Sequence, residues 1–156
     1  MDATMELQML GKVVVAALLG GLVGIEREFA ERPAGLRTHM LVGGTAAFFV
    51  LLANILLLSF EPRDILRADP VRVVEAVVVG ISFLGAGTIL KYREHGERVV
   101  EGLTTSASIL SVAAIGIAVA LDTYILAVGA ALLNLFINSG LMYLVERTND
   151  KTRQTD

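Results

Sequence analysis

The chain has 156 residues, 54% of them apolar and only 19% charged, with a formal net charge of −3 and no cysteine. That length makes one domain, the apolar content is too high for an ordinary soluble fold of this size, and the absence of thiols excludes disulfides and thiolate metal sites. A pI near 5.4, with no extended basic patch in the sequence, argues against a nucleic-acid partner.

Uncharged apolar runs occupy residues 13–25, 40–60, 76–90, 102–121 and 123–145. A hydrocarbon core of about 30 Å takes roughly 20 helical residues, so the second, fourth and fifth runs are expected to span unaided. The first reaches that length when residues 7–12 join it, Lys12 extending its stem toward the headgroups. The third gains length from residues 71–74, which sets Glu75 about one turn below a surface. A soluble bundle would show a polar stripe on each helix, whereas residues 40–60 offer only Thr45, Asn54 and Ser59. Nor does the first run read as a signal peptide: Asp2 and Glu6 precede the lone Lys12, and the run ends in Glu26-Arg27-Glu28. It is expected to remain as the first spanning helix.

Five spans place the termini on opposite sides. The first connection (Arg27, Arg32, Arg37), the third (Lys91, Arg93, Arg98) and the tail (Arg147, Lys151, Arg153) share one side, and Arg63, Arg67, Arg72 and Lys12 lie on the other. The positive-inside rule then puts the N-terminus outside and the C-terminus in the cytoplasm. Asp122 and Thr123 form the fourth connection, a tight antiparallel turn, because one helix over residues 102–145 would be about 66 Å long, twice the bilayer. The expected fold is therefore all-α: a polytopic membrane protein of five transmembrane helices over residues 1–146, with a short polar cytoplasmic tail over 147–156. Gly35-Leu36-Arg37-Thr38 and Gly102-Leu103-Thr104-Thr105 each open an outward-running helix after a charged connection. One reading makes helices one and two a parallel repeat of three and four, with the fifth added; coincidence is the other.

Small residues recur at spacing four, at Gly20 and Gly24, Gly43 and Ala47, and Gly102 and Ser106. In lipid such pairs let helix backbones approach closely, within the chain or between copies. Gly80, Gly85 and Gly87 on helix three join this packing set, Gly85 and Gly87 also being candidates for a bend. Glu26, Arg27 and Glu28 close helix one. A helix continuing to about Glu31 would pair Arg27 with Glu31 and Glu28 with Arg32. Glu26, closest to the membrane, needs a partner or a water-lined cavity, and Arg37 is the expected partner. As structure these residues clamp the helix ends together. As function, Glu26 and Glu28 with the hydroxyls of Thr38, Thr88, Thr104 and Thr105 would line an inner vestibule whose oxygens suit Mg²⁺ as ligand or transported ion, or a surface for a protein partner. Glu75 is either a second functional carboxylate or an interfacial side chain. Asn134 and Asn138, four apart, turn one face of helix five toward protein, and His39 and His95 read as interfacial. With no Ser-His-Asp pattern, phosphate loop or metalloprotease helix, no catalytic residue and no cofactor are expected.

The ordered set Gly24, Glu26, Arg27, Ala34, Gly35, Leu36, Arg37, Thr38, Leu41 and Val42, then Gly80, Phe83, Leu84, Gly85, Ala86 and Gly87, then Gly102, Leu103, Thr105 and Ala107 resembles the MgtC/SapB family of small bacterial inner-membrane proteins. The likeness covers about residues 20–124. Leu121-Asp122-Thr123 stands where relatives often have glycines, and the residues after Val145 are too few for the soluble C-terminal domain that many members carry. The resemblance implies a non-enzymatic protein of a virulence-associated family, tied to growth under magnesium limitation. Two functions follow from it: a regulator that binds other membrane proteins, with a homodimer open, or a small transporter or channel for Mg²⁺ or another cation, with Glu26 and Glu75 as inner and outer gates. The sparse ionisable content at lipid depth favours the regulator. A lipid-modifying enzyme is a third reading and lacks an activated nucleophile.

Overall fold

The structure is a computed structural model that describes residues 2–59, 69–94 and 97–140. Five α-helices follow in order: α1 (Ala3–Phe29), α2 (Leu36–Ser59), α3 (Pro70–Ala86), α4 (Leu103–Ala120) and α5 (Tyr124–Leu135), the last continuing into a π turn, Phe136–Gly140. Between α3 and α4 stands a hairpin of β1 (Leu90–Glu94) and β2 (Glu97–Glu101). Phe60, Arg63, Arg67 and His95, and the end of the fifth run with Val145 and the tail basic residues Arg147, Lys151 and Arg153, lie outside the described residues.

α1, α2 and α4 are long and apolar enough to cross a membrane. α1 begins at Ala3 and so takes in residues 7–12, as the length argument required. α3 falls short at 17 residues, about 25 Å, because its ends are chemically fixed. Asp69 accepts from Val71 N at 2.9 Å, Pro70 occupies the first turn, and beyond Ala86 the Thr88 hydroxyl donates to the Gly85 carbonyl at 2.7 Å. The described part of α5 is 12 residues before the π turn intervenes. The rest of the fifth run, residues 141–145, lies outside the described residues.

α1, α2 and α4 form the core. Ala16 and Val23 of α1, Ala47 of α2, and Val112 and Val119 of α4 are fully buried. Close approach of backbones makes this possible. A Cβ at Gly43 would lie 2.7 Å from the Ala16 carbonyl oxygen, and one at Gly116 would overlap the Gly43 carbonyl oxygen, so α2 meets α1 and α4 main chain to main chain. α3 and α5 lie against the outside of α4. Leu18, Phe83 and Ile125 point outward, the apolar exterior that a lipid solvent allows.

Two expectations about the connections change. α1 stops at Phe29 and Glu31 takes a positive φ of 53°, so the helical pairing of Arg27 with Glu31 does not form. The third connection, expected as a polar loop, is a β-hairpin in which Arg93 faces Arg98 and Lys91 faces Val100. Alternation of the pleat puts Lys91, Arg93 and Arg98 on one side and Tyr92, Glu97 and Glu101 on the other. The Tyr92 hydroxyl donates to Glu101 Oε1 at 2.8 Å, and holding that proton beside the carboxylate pushes the phenol above its ordinary range.

Candidate functional site

α1 and α4 run antiparallel and are tied at both ends. At one end Lys12 Nζ meets Asp122 Oδ2 at 2.7 Å, an exposed ion pair that holds the Asp122 carboxyl below its ordinary range. At the other, Arg27 Nη2 donates to Thr105 Oγ1 at 3.1 Å. The two ties lie about 22 Å apart along α1. Arg27 is only 4% exposed, and its burial follows from helical phase: Ala16, Gly20 and Val23 form the stripe that α1 turns inward, and Arg27 is the next member of it. Glu26 lies about 100° away around the axis, on a cavity wall it shares with Ile137 and Asn138 of the π turn.

Around the Arg27–Thr105 end two cavities open. The first, about 200 Å³, is lined by Glu26, Arg27, Arg32, Thr104, Ile137 and Asn138. The second, about 430 Å³, is lined by Glu28, Glu31, Arg32, Pro33, Gly35, Arg37 and Thr38. The single vestibule expected from the sequence is therefore divided, with Arg32 on both walls. Glu26 and Arg37 fall on opposite sides of the division and do not pair. Glu28 is occupied elsewhere, since its Oε2 accepts from Leu36 N at 2.9 Å and so caps the start of α2. Thr105 holds Arg27, Thr104 reaches the first cavity, Thr38 the second, and Thr88 ends α3. Glu75 is exposed on α3.

The first cavity gathers unsatisfied groups. Among the described residues, Glu26 Oε2, Arg27 Nε and Asn138 Nδ2 are buried without a hydrogen-bond partner, and all three belong to residues on its wall. Buried polar atoms are nearly always paired, so three orphans around one cavity need an explanation. Asn134 behaves as expected of its face, donating to Ser111 Oγ on α4. Among the described residues, no group of three or more His, Asp or Glu side chains could hold a metal ion.

His39 is the main correction. Read as interfacial, it is 0% exposed, wedged between α1 and α4. Its Nδ1 lies 2.8 Å from the Gly35 carbonyl oxygen and its Nε2 2.8 Å from Ser108 Oγ. A carbonyl can only accept, so Nδ1 carries a proton, and in the neutral ring Nε2 accepts from the serine. This serine–histidine pair has a carbonyl where a hydrolase would place a carboxylate, and neither residue lines the cavities described above. Its role is to join α2 to α4. Gly20 and Gly24 of α1 seat against His39, and Gly85 of α3 seats against Ser106 of α4, where a Cβ would lie 2.6 Å from the hydroxyl. Gly102, at φ 86°, abuts the Thr88 carbonyl. Gly87 touches only carbonyls of its own helix, and Gly80 meets nothing within 4 Å. Gly80 instead lines an apolar groove of about 430 Å³ between α2 and α3, with Phe49, Leu56 and Val77.

Comparison with known proteins gives a consistent assignment. The family described as the MgtC family matches residues 13–147. Protein YhiD of Escherichia coli (strain K12), named as a candidate magnesium transporter, is 33% identical over 126 residues, covering 81% of this chain and 57% of its own length. Protein MgtC of Brucella abortus (strain 2308) is 44% identical over 102 residues, 65% of this chain and 38% of that protein. Protein MgtC of Salmonella typhimurium (strain LT2) is 35% identical over 137 residues, 88% of this chain and 54% of that protein. The chain thus spans about half the length, or less, of these relatives. No solved structure matches it.

Proposed function

We propose that this chain, which belongs to the MgtC family, is a non-enzymatic multi-pass protein of the bacterial inner membrane that serves adaptation to magnesium limitation by binding and modulating other membrane proteins. The observation that carries this reading is the filling of the core between its two polar ends. Along about 22 Å of α1, Ala16, Gly20, Val23, Val112 and Gly116 close the space by side-chain and backbone contact. A cation path would call for open, water-lined space between those ends, whereas the polar groups that the core does hold, His39 with Ser108 and Asn134 with Ser111, are bonded to each other. Glu75, the outer gate in the transport reading, is exposed on α3 rather than turned into the core. The surfaces left for a partner are the apolar groove between α2 and α3, fit for another protein's membrane helix or a second copy, and the hairpin with its basic side. The excess of basic residues on the hairpin side supports a cytoplasmic C-terminus and an outward N-terminus.

The second reading, cation transport, is favoured by the name of the E. coli relative. Mg²⁺ uptake into sealed proteoliposomes decides between them, with empty vesicles and the Glu26→Gln and Glu75→Gln variants alongside. The regulator reading expects no uptake above empty vesicles from folded, inserted protein, and in-cell cross-linking from the groove to another membrane protein. Uptake that requires Glu26 or Glu75 overturns it.

A further inference from the structure

We infer that the cavity between the inner ends of α1, α4 and α5 binds an aminophosphate group, a phosphate with a protonated amine on the same small molecule or headgroup. The unsatisfied atoms specify the ligand. Arg27 Nε and Asn138 Nδ2 carry hydrogens and require an acceptor, while Glu26 Oε2 requires a donor. A hydrated divalent cation turns its water hydrogens outward; it would satisfy Glu26, offer the two donors nothing, and sit beside two guanidinium groups. A simple anion would satisfy the donors and confront the carboxylate. A zwitterion meets all three, with phosphate oxygens toward Arg27 and Asn138 and an ammonium N–H toward Glu26. It also matches the charge of the wall, where Glu26 stands against Arg27 and Arg32.

The site is built in advance of its ligand. Arg27, 4% exposed, is fixed by its bond to Thr105, which commits Nη2 and leaves Nε unpaired. Asn138 lies in the π turn Phe136–Gly140, an irregularity that helices often carry at binding sites. The volume of about 200 Å³ corresponds to six or seven waters at roughly 30 Å³ each, enough for a phosphoethanolamine group. Ile137 on the wall and the exposed Phe136 beside it give a lipid's acyl chains an apolar exit. The same chemistry could come from the phosphatidylethanolamine headgroup or from soluble phosphoethanolamine.

The inference does not rest on the partner-binding reading and is tested with no partner present. The purified chain is placed in nanodiscs of phosphatidylcholine alone, or doped with phosphatidylethanolamine or phosphatidylglycerol, or with soluble phosphoethanolamine added. Retained lipid is counted by native mass spectrometry, and the unfolding midpoint is recorded. The expected result is a preference of roughly tenfold for the ethanolamine headgroup over choline and glycerol, the size of one charge-assisted hydrogen bond, with a rise in midpoint. Both Glu26→Gln and Asn138→Leu, which leave the Arg27–Thr105 bond in place, should lose the preference. A response to the doped lipid alone identifies the bilayer as the source; a response to the soluble compound as well shows that the headgroup suffices. Equal binding of all three lipids with no response to phosphoethanolamine overturns the inference. So does a preference that survives both variants, or a Glu26-dependent shift produced by Mg²⁺ in place of the aminophosphate.

Discussion

The two ends of the α1–α4 pair solve one problem in opposite ways. At the Lys12–Asp122 end a lysine and an aspartate meet at an exposed surface, where water screens the pair and either side chain can be resolvated. At the Arg27–Thr105 end a buried guanidinium is held by a neutral hydroxyl, next to a carboxylate oxygen and an amide with no partner among the described residues. The first arrangement is replaceable. In the second, every group has been taken from water, so removing one leaves another uncompensated. Register between the helices is set at both ends, but the buried polar groups gather at the Arg27–Thr105 end.

That contrast is open to direct attack. Arg27→Met should have the largest effect, a loss of about 2–3 kcal/mol in unfolding free energy in detergent, because it removes a charged hydrogen bond and leaves the Thr105 hydroxyl buried alone; an effect near zero would show that the inner tie is not structural. Thr105→Val, which keeps the volume and deletes the acceptor, should cost about 1.5 kcal/mol. Lys12→Met should move the midpoint only slightly at neutral pH. Its effect has a defined pH dependence: the folded Asp122 carboxyl titrates below its ordinary value of 3.8, so the pair's contribution is present above that value and is lost as pH falls through the lower one. Acid titration of the midpoint should therefore bring wild type and Lys12→Met together, and a gap that widens in acid would contradict the pairing. Smallest of all is the coupling between Glu26→Ala and Arg37→Ala. Since the two side chains line different cavities, a double-mutant cycle should be additive within about 0.5 kcal/mol, and a larger coupling would bring back the pair that the sequence alone had favoured.

The sequence by itself determined the solvent and the number of helices, because both follow from run length and composition. Residues 40–60 with three polar side chains have no face to offer water, and Asp122-Thr123 can only be a turn between two apolar runs. It also grouped Glu26 with Thr104 in one vestibule, and set Asn138 apart from them on a protein-facing side of helix five. The hairpin was legible only in part, as alternation through residues 90–93 followed by the β-branched pair Val99-Val100, and a run of mixed charges beside a membrane span reads equally well as a loop. What only the tertiary structure decided is which polar groups share a space. Arg27 meets Thr105 across 78 residues and His39 meets Ser108 across 69. Those meetings depend on the rotation of each helix about its axis, and that rotation is set by glycines such as Gly43 and Gly116, whose backbones must touch a neighbour. A rotation of 100°, one residue of helical phase, would exchange Arg27 for Glu26 in the core; the packing of three helices, and not the local sequence, excludes it.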